Sequence, residues 1–439
     1  MSREMKYSGI PWLNYVPNEW RIEKIRHLLS ERNEKNEPIK TKEILSLTAK
    51  QGVIPIKDKE CGGNKPKDDI SAYKLAYPND IVMNSMNILS GAVGLSSLFG
   101  CVSPVYYVLF PTSEEIYQPY YNLIFQTPHF QRSLRGLGNG ILIKETDKGT
   151  LNTIRMRIPM DKLRNLEVPF PSYNEQVIIA DFLDKKCAEI DEMIALQEKI
   201  IDELKAYKQS VITEAVTKGL IPDVPMKNSG IEWIGEMPEH WQIGRMKNVC
   251  CQNGESLSEK ENEDFEFDYV DIGSVSFEKG IFHTEHYAFK DAPSRARRRA
   301  KYGDFIMSTV RTYLRAIDVI DSEEKASFIY STGFAVLTPN TNISYRFLSY
   351  ISKSQPFLEQ VMLFSRGINY PSINSTDLMC IRITYPSIAE QTIIAEYLDR
   401  KCSEIDSLIT IKLSKIDSLK EYKKSIIYEY VTGKKEVEA

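Results

Sequence analysis

Apolar positions in residues 171–217 recur at alternating spacings of four and three. Leu183, Cys187, Ile190, Ile194, Gln197, Ile201, Leu204, Lys208, Val211 and Ala215 form one seam. Residues 386–432 repeat it with Leu398, Cys402, Ile405, Ile409, Lys412, Ile416, Leu419, Lys423, Ile426 and Tyr430. This heptad alternation predicts two amphipathic helices packed as a coiled coil, with polar seam residues that fix register at a cost in stability. Each segment opens on Pro-Ser, and Ser172 with Glu175 and Ser387 with Glu390 have the spacing of a capping box. After Pro171 and Pro386 neither contains Pro or Gly up to Thr217 or Thr432, so each can run for about 40 residues, roughly 60 Å. A second apolar stripe holds Phe182, Met193, Leu196, Tyr207 and Ile212, matched by Tyr397, Leu408, Ile411, Tyr422 and Ile427. A two-helix pair uses one stripe. The second is free to dock onto the chain's own domains or to accept helices from another subunit.

The two helices are copies. Residues 171–217 and 386–432 align without a gap, and about 26 of 47 positions are identical. A shorter pair precedes each domain, SGIPWLNYVPNEWRI at 8–22 and SGIEWIGEMPEHWQI at 229–243, so Trp12 and Trp20 correspond to Trp233 and Trp241. Between these segments the halves have diverged. YPNDIVMNS at 77–85 against KYGDFIMST at 301–309 suggests equivalent strands. A further echo sets a polar Gly-containing stretch and an apolar β-like run before each helix, at 148–160 and 365–383. The expected organisation is a first domain at 1–170, a central helix at 171–220, a second domain at 221–385 and a C-terminal helix at 386–439. Antiparallel pairing would place the domains at opposite ends, so one chain imitates a symmetric dimer and suits a target with two oppositely directed half-sites.

Composition narrows the class. With 439 residues, 42% hydrophobic and 26% charged, the chain is an ordinary two-domain globular protein. No apolar run approaches the length of a membrane span, the first residues lack a secretory signal, and seven scattered cysteines form no C-x-x-C pair. The expectation is a cytoplasmic protein with reduced thiols.

The net charge of −4 hides an uneven distribution. Residues 121–165 and 281–315 each carry eight Lys or Arg against three acids, whereas the first long helix has ten acids and five bases. Basic patches on the globular domains suit phosphate contacts, with nearby polar groups placed to read base edges. The candidate DNA-binding residues are Arg132, Arg135, Asn139 and Lys144 in the first domain. In the second they are Arg295, Arg297, Arg298, Arg299, Lys301, Arg311, Arg315, Arg366, Asn369 and Tyr370. Asn84 and Asn87 also qualify, with Tyr73, Tyr302 and Tyr313 among them. The alternative for the run SRARRRAK at 294–301 is a solvated charged face. Catalytic signatures are missing: no G-K-[ST], no Pro-Pro pair for an amino-methyltransferase motif, and no triad-like pattern. His283 and His286 lack co-ligands for a metal and read as surface histidines, and the glycine cluster 136–140 reads as a loop.

The PSxxEQxxIAxxLDxK segments at 171–186 and 386–401, the S-G-I-x-W…P-x-x-W leaders, and the order domain–helix–domain–helix resemble the specificity (S) subunits of type I restriction–modification enzymes. The resemblance implies an α+β chain: two mixed α/β target-recognition domains at opposite ends of a long antiparallel two-helix coiled coil, with internal pseudo-twofold symmetry. Each domain would read half of a bipartite duplex DNA target, and the helices would set the spacing and dock two methyltransferase (modification) subunits. Restriction (motor-nuclease) subunits would join that complex. The chain itself would be non-catalytic and hold no cofactor, with S-adenosylmethionine, ATP and Mg on the partners. Two readings of another class stay open: a protein-binding adaptor on a helical scaffold, and a self-sufficient DNA-modifying enzyme.

Overall fold

Two helices, Tyr173–Lys218 and Ile388–Val431, run for 46 and 44 residues without a break. A computed structural model of the chain describes residues 3–48, 51–59, 69–138, 157–367 and 369–437. These fall into two units, one of Met1–Gln197 with Ser414–Ala439, the other of Glu198–Leu413. Each unit holds one mixed α/β head and a stretch of both long helices.

In the first unit, strands Leu29–Glu31, Tyr106–Pro111, Ile81–Asn84 and Val93–Leu95 form an antiparallel sheet in that order. In the second, Cys250–Gln252, Phe334–Pro339, Phe305–Ser308 and Ile317–Val319 form its counterpart. The echoed segments thus supply the same strand of the same sheet. Both strands are apolar up to their last residue, Asn84 or Ser308, because neighbours cover both faces. The aspartate before each is buried and closes the preceding turn: Asp80 accepts from the Tyr77 amide at 2.9 Å, Asp304 from the Lys301 amide at 2.7 Å. The second echo resolves differently. Residues 148–156 lie outside the described residues, and 365–383 contains the short helix Ser375–Cys380 before the strand Arg382–Tyr385. Asn374 caps that helix by accepting from the Asp377 amide, which converts the apolar run into a helical turn.

Each head is closed by pairing the strand after its leader with the strand before its helix: Arg21–Lys24 with Glu167–Phe170, and Gln242–Arg245 with Arg382–Tyr385. The heads diverge elsewhere. The second adds a sheet of Glu285–Ala288, Glu266–Val270, Ile329–Ser331 and Ala296–Arg299, with one parallel pair. The first has two small two-stranded pairings, Leu45–Thr48 with Gly52–Pro55 and Lys74–Ala76 with Gly100–Val102.

The repeated motifs meet at the root of each helix. The Glu175 and Glu390 amides donate to the Ser172 and Ser387 hydroxyls, but the two carboxylates do not return to the cap as a capping box requires. They accept instead from the indole Nε1 of Trp20 at 2.9 Å and of Trp241 at 3.0 Å. The adjacent glutamines are fully buried. Gln176 accepts from the Tyr117 amide and donates to the carbonyls of Glu115 and Pro171. Gln391 repeats all three bonds with Ser344, Asn342 and Pro386. A buried indole and a buried amide therefore fix each head to its own helix, with every polar group partnered.

The helix stretches pack antiparallel within each unit. In the first, Phe182 lies 4.6 Å from Tyr430 and Lys423 reaches Asp191 at 2.6 Å; in the second, Lys208 reaches Asp406 at 2.7 Å. The seam lysines thus keep their ammonium groups at the edge of the seam against a carboxylate of the facing helix. The second stripe divides. Phe182 and Ile427 pack on the first head's core, and Ile212 and Tyr397 on the second's. Met193, Leu196 and Tyr422 of the first unit, and Tyr207, Leu408 and Ile411 of the second, stay exposed.

Candidate nucleic-acid interface

In the second head the central strand Phe305–Ser308 runs into a 3-10 turn, Thr312–Leu314, flanked by Arg311 and Arg315 in left-handed backbone (φ 51° and 50°). The turn is tied to the loop before the short helix Ser375–Cys380. The Ile373 amide donates to the Thr309 carbonyl at 2.9 Å, the Thr312 amide to the Pro371 carbonyl at 3.3 Å, and the Thr312 and Ser365 hydroxyls lie 2.8 Å apart. Two loops distant in sequence become one surface. On it the Arg311 guanidinium lies 5.2 Å from the Tyr370 ring centre, and Arg315 lies 5.6 Å from that of Phe277. Arg366 is exposed, 3.7 Å from Asp377, and Asn369 and Tyr370 are exposed beside it. Arg311, Arg366, Asn369 and Tyr370 are therefore brought together, whereas Arg315, at the other end of the turn, lies against Phe277.

The run 294–301 is distributed otherwise. Arg295 is exposed, and its carbonyl accepts from the Thr332 amide, next to Gly333, whose carbonyl accepts from Thr309. Those links carry it toward the same loops. Arg297 stacks 4.8 Å from Phe289, and Arg298 is half-buried with its Nε unpartnered among the described residues. Arg299 faces Glu261 at 3.9 Å, and Lys301 pairs with Glu255 at 2.5 Å. That hydrogen bond holds the Lys301 ammonium above its ordinary range and the Glu255 carboxyl below its own.

The first head builds the corresponding turn from Ile88–Ser90, after Ile81–Asn84, with Gly91 (φ 79°) in the left-handed position of Arg315. The Ile158 amide donates to the Ser85 carbonyl at 3.0 Å, the equivalent of the Ile373–Thr309 bond. Asn87 is exposed, whereas Asn84 accepts from the Met86 amide and shapes the turn. Arg132 and Arg135 are exposed at the end of the helix Pro128–Ser133, which packs against this turn. Asn139 and Lys144 lie outside the described residues. Sequence reasoning missed Leu314, exposed at the apex, and Thr312, the anchor; a polar Thr within an apolar-basic run was the available signal. His286 pairs with Asp268 at 3.1 Å, and among the described residues no group of His, Cys, Asp and Glu is arranged to hold a metal. No described helix is long and apolar enough to cross a membrane.

One frame is used twice in this chain, with unlike side chains on the corresponding loops. Residues 238–417 match the family model of the type I restriction modification DNA specificity domain. The chain is 26% identical over 275 residues to the MjaVIII specificity subunit of Methanocaldococcus jannaschii, a match spanning 62% of each chain. It is 31% identical over 100 residues to the EcoKI specificity subunit of Escherichia coli, covering 23% of this chain and 21% of that one. In fold it resembles a chain from a structure of type I R-M system assembly and conformational transition (TM-score 0.69, 14% identity, 95% of this chain and 98% of that one). The HsdS subunit of Thermoanaerobacter tengcongensis is also similar (TM-score 0.53, 14% identity, 95% and 98%). The family model and the relatives in sequence thus point to type I restriction enzyme specificity subunits, and the two solved structures share the fold.

Proposed function

We propose that this chain is the DNA target-recognition subunit of a type I restriction–modification complex, with each head reading one half of a bipartite sequence. The observation that carries this reading is the pair of corresponding turns, alike in position and in their left-handed exit residue and different in chemistry, each beside exposed arginines. Duplicated scaffolds with unlike reading loops suit two unlike half-sites. The long helices set the gap between half-sites. Their exposed apolar positions, such as Leu196 and Tyr422 in one unit and Leu408 and Ile411 in the other, dock helices of two methyltransferase subunits. The chain does no chemistry itself. S-adenosylmethionine, ATP and Mg act on the partner subunits, including the motor-nuclease subunits. The salt dependence of duplex binding tests DNA recognition against a protein adaptor. Phosphate contacts by Arg311, Arg315 and Arg366 alone give a roughly 40-fold loss of affinity between 50 and 200 mM salt. Duplex binding that is absent or insensitive to salt refutes the reading.

A further inference from the structure

In the second head the turn Thr312–Leu314 is not explained by stability. Left-handed backbone at Arg311 and Arg315 is strained for residues with a Cβ. The strain does not bury the apex, since Tyr313 and Leu314 are 50% and 40% exposed. What it achieves is presentation. An aromatic ring and an isobutyl group are left exposed on a turn that begins and ends at an arginine, the guanidiniums lying against Tyr370 and Phe277, on a base pinned by buried Thr312. Apolar side chains flanked by cations match a polyanion with a stacked, apolar interior. Duplex DNA is such a target: arginines meet the phosphates, and apolar wedges enter between base steps.

We propose that Tyr313 and Leu314 form a wedge that opens one base step in the half-site read by the second head. This rests on the DNA-recognition reading above. Arg311 and Arg315 neutralise the phosphates flanking the opened step, and the hydrogen bonds from Thr312 to Ser365 and Pro371 keep the turn from folding back. The energy of unstacking depends on sequence, and TA and CA/TG steps open most readily. The half-site of the second head therefore carries such a step at the wedge. Among the described residues the first head lacks the device. Glycine takes the left-handed position at its turn, Leu89 packs against the core, and Ser90 stands where Leu314 does.

The test selects duplexes from a random library with the full-length chain, then probes the selected site with permanganate, which oxidises unstacked thymines. TA and CA/TG steps each contain thymine. The expected result is a bipartite motif with a hyper-reactive thymine in one half-site only. Tyr313→Ala and Leu314→Ala abolish that reactivity and weaken the selected site by about tenfold, while binding to random duplex is unchanged; Leu314→Met retains both. A bipartite motif whose thymines react as in free DNA, or whose reactivity survives both alanine variants, overturns the wedge and leaves DNA recognition standing. Failure to enrich any motif overturns both.

Discussion

Replacing Gln391 by methionine keeps the side-chain volume and removes one acceptor and two donated hydrogen bonds. The Ser344 amide loses its 2.8 Å partner, and the Asn342 and Pro386 carbonyls lose theirs at 2.9 and 3.0 Å. All three groups surround a side chain with no solvent exposure, so water does not replace the amide. An orphaned buried N–H costs about 1–3 kcal/mol, and two under-satisfied carbonyls bring the expected loss to roughly 2–4 kcal/mol. Ser344 precedes the helix Tyr345–Lys353, so the loss falls on the second head. Gln176→Met is the matched experiment, since the Tyr117 amide and the Glu115 and Pro171 carbonyls occupy the same places in the first head. Amide hydrogen exchange resolved by peptide reads each head separately. Gln391→Met should lower protection in the second head, Gln176→Met in the first, by similar amounts. Losses below about 0.5 kcal/mol for either variant, the range of ordinary surface substitutions, would refute the reasoning.

Two further outcomes follow from the same structure. Cys250 and Cys251 are neighbours on one strand, the first buried with its thiol pushed up to about 12 by burial, the second exposed. Alkylation of the native protein near neutral pH, read by mass spectrometry, should label Cys251 and spare Cys250, because the thiolate is the reactive form; equal labelling contradicts this. Inserting one heptad into 190–205 should change the spacer required between half-sites or abolish binding, without altering either half-site. Selection from a random library reads the outcome, and an unchanged spacer with unchanged affinity removes the helices' measuring role.

The long helices were legible because their apolar seam persists for dozens of residues without Pro or Gly, and periodicity is a local property. The equivalence of Ile81–Asn84 and Phe305–Ser308 was legible from a buried aspartate before an apolar run. The role of the Glu-Gln pair was not. Trp20 lies 155 residues from Glu175, and capping spacing offered a local explanation that the fold does not use. The arginine run also looked simpler in sequence than it is. Its charges are partly neutralised by Glu255 and Glu261, from a segment the fold lays beside it. The surface joining Arg311 to Tyr370 depends on hydrogen bonds between loops some sixty residues apart, and left-handed arginines carry no sequence signature.

The most direct test of the account is a genome-wide map of methylated adenines in the host, with the gene present and deleted. The account predicts a bipartite motif, two short half-sites separated by a fixed gap, that is methylated only when the gene is present. Substituting Arg311 and Arg315 together should then degrade one half-site and leave the other intact. An unchanged methylation map on deletion, or loss of a single undivided motif, would contradict the claim that two heads on one helical frame read two halves of a DNA target.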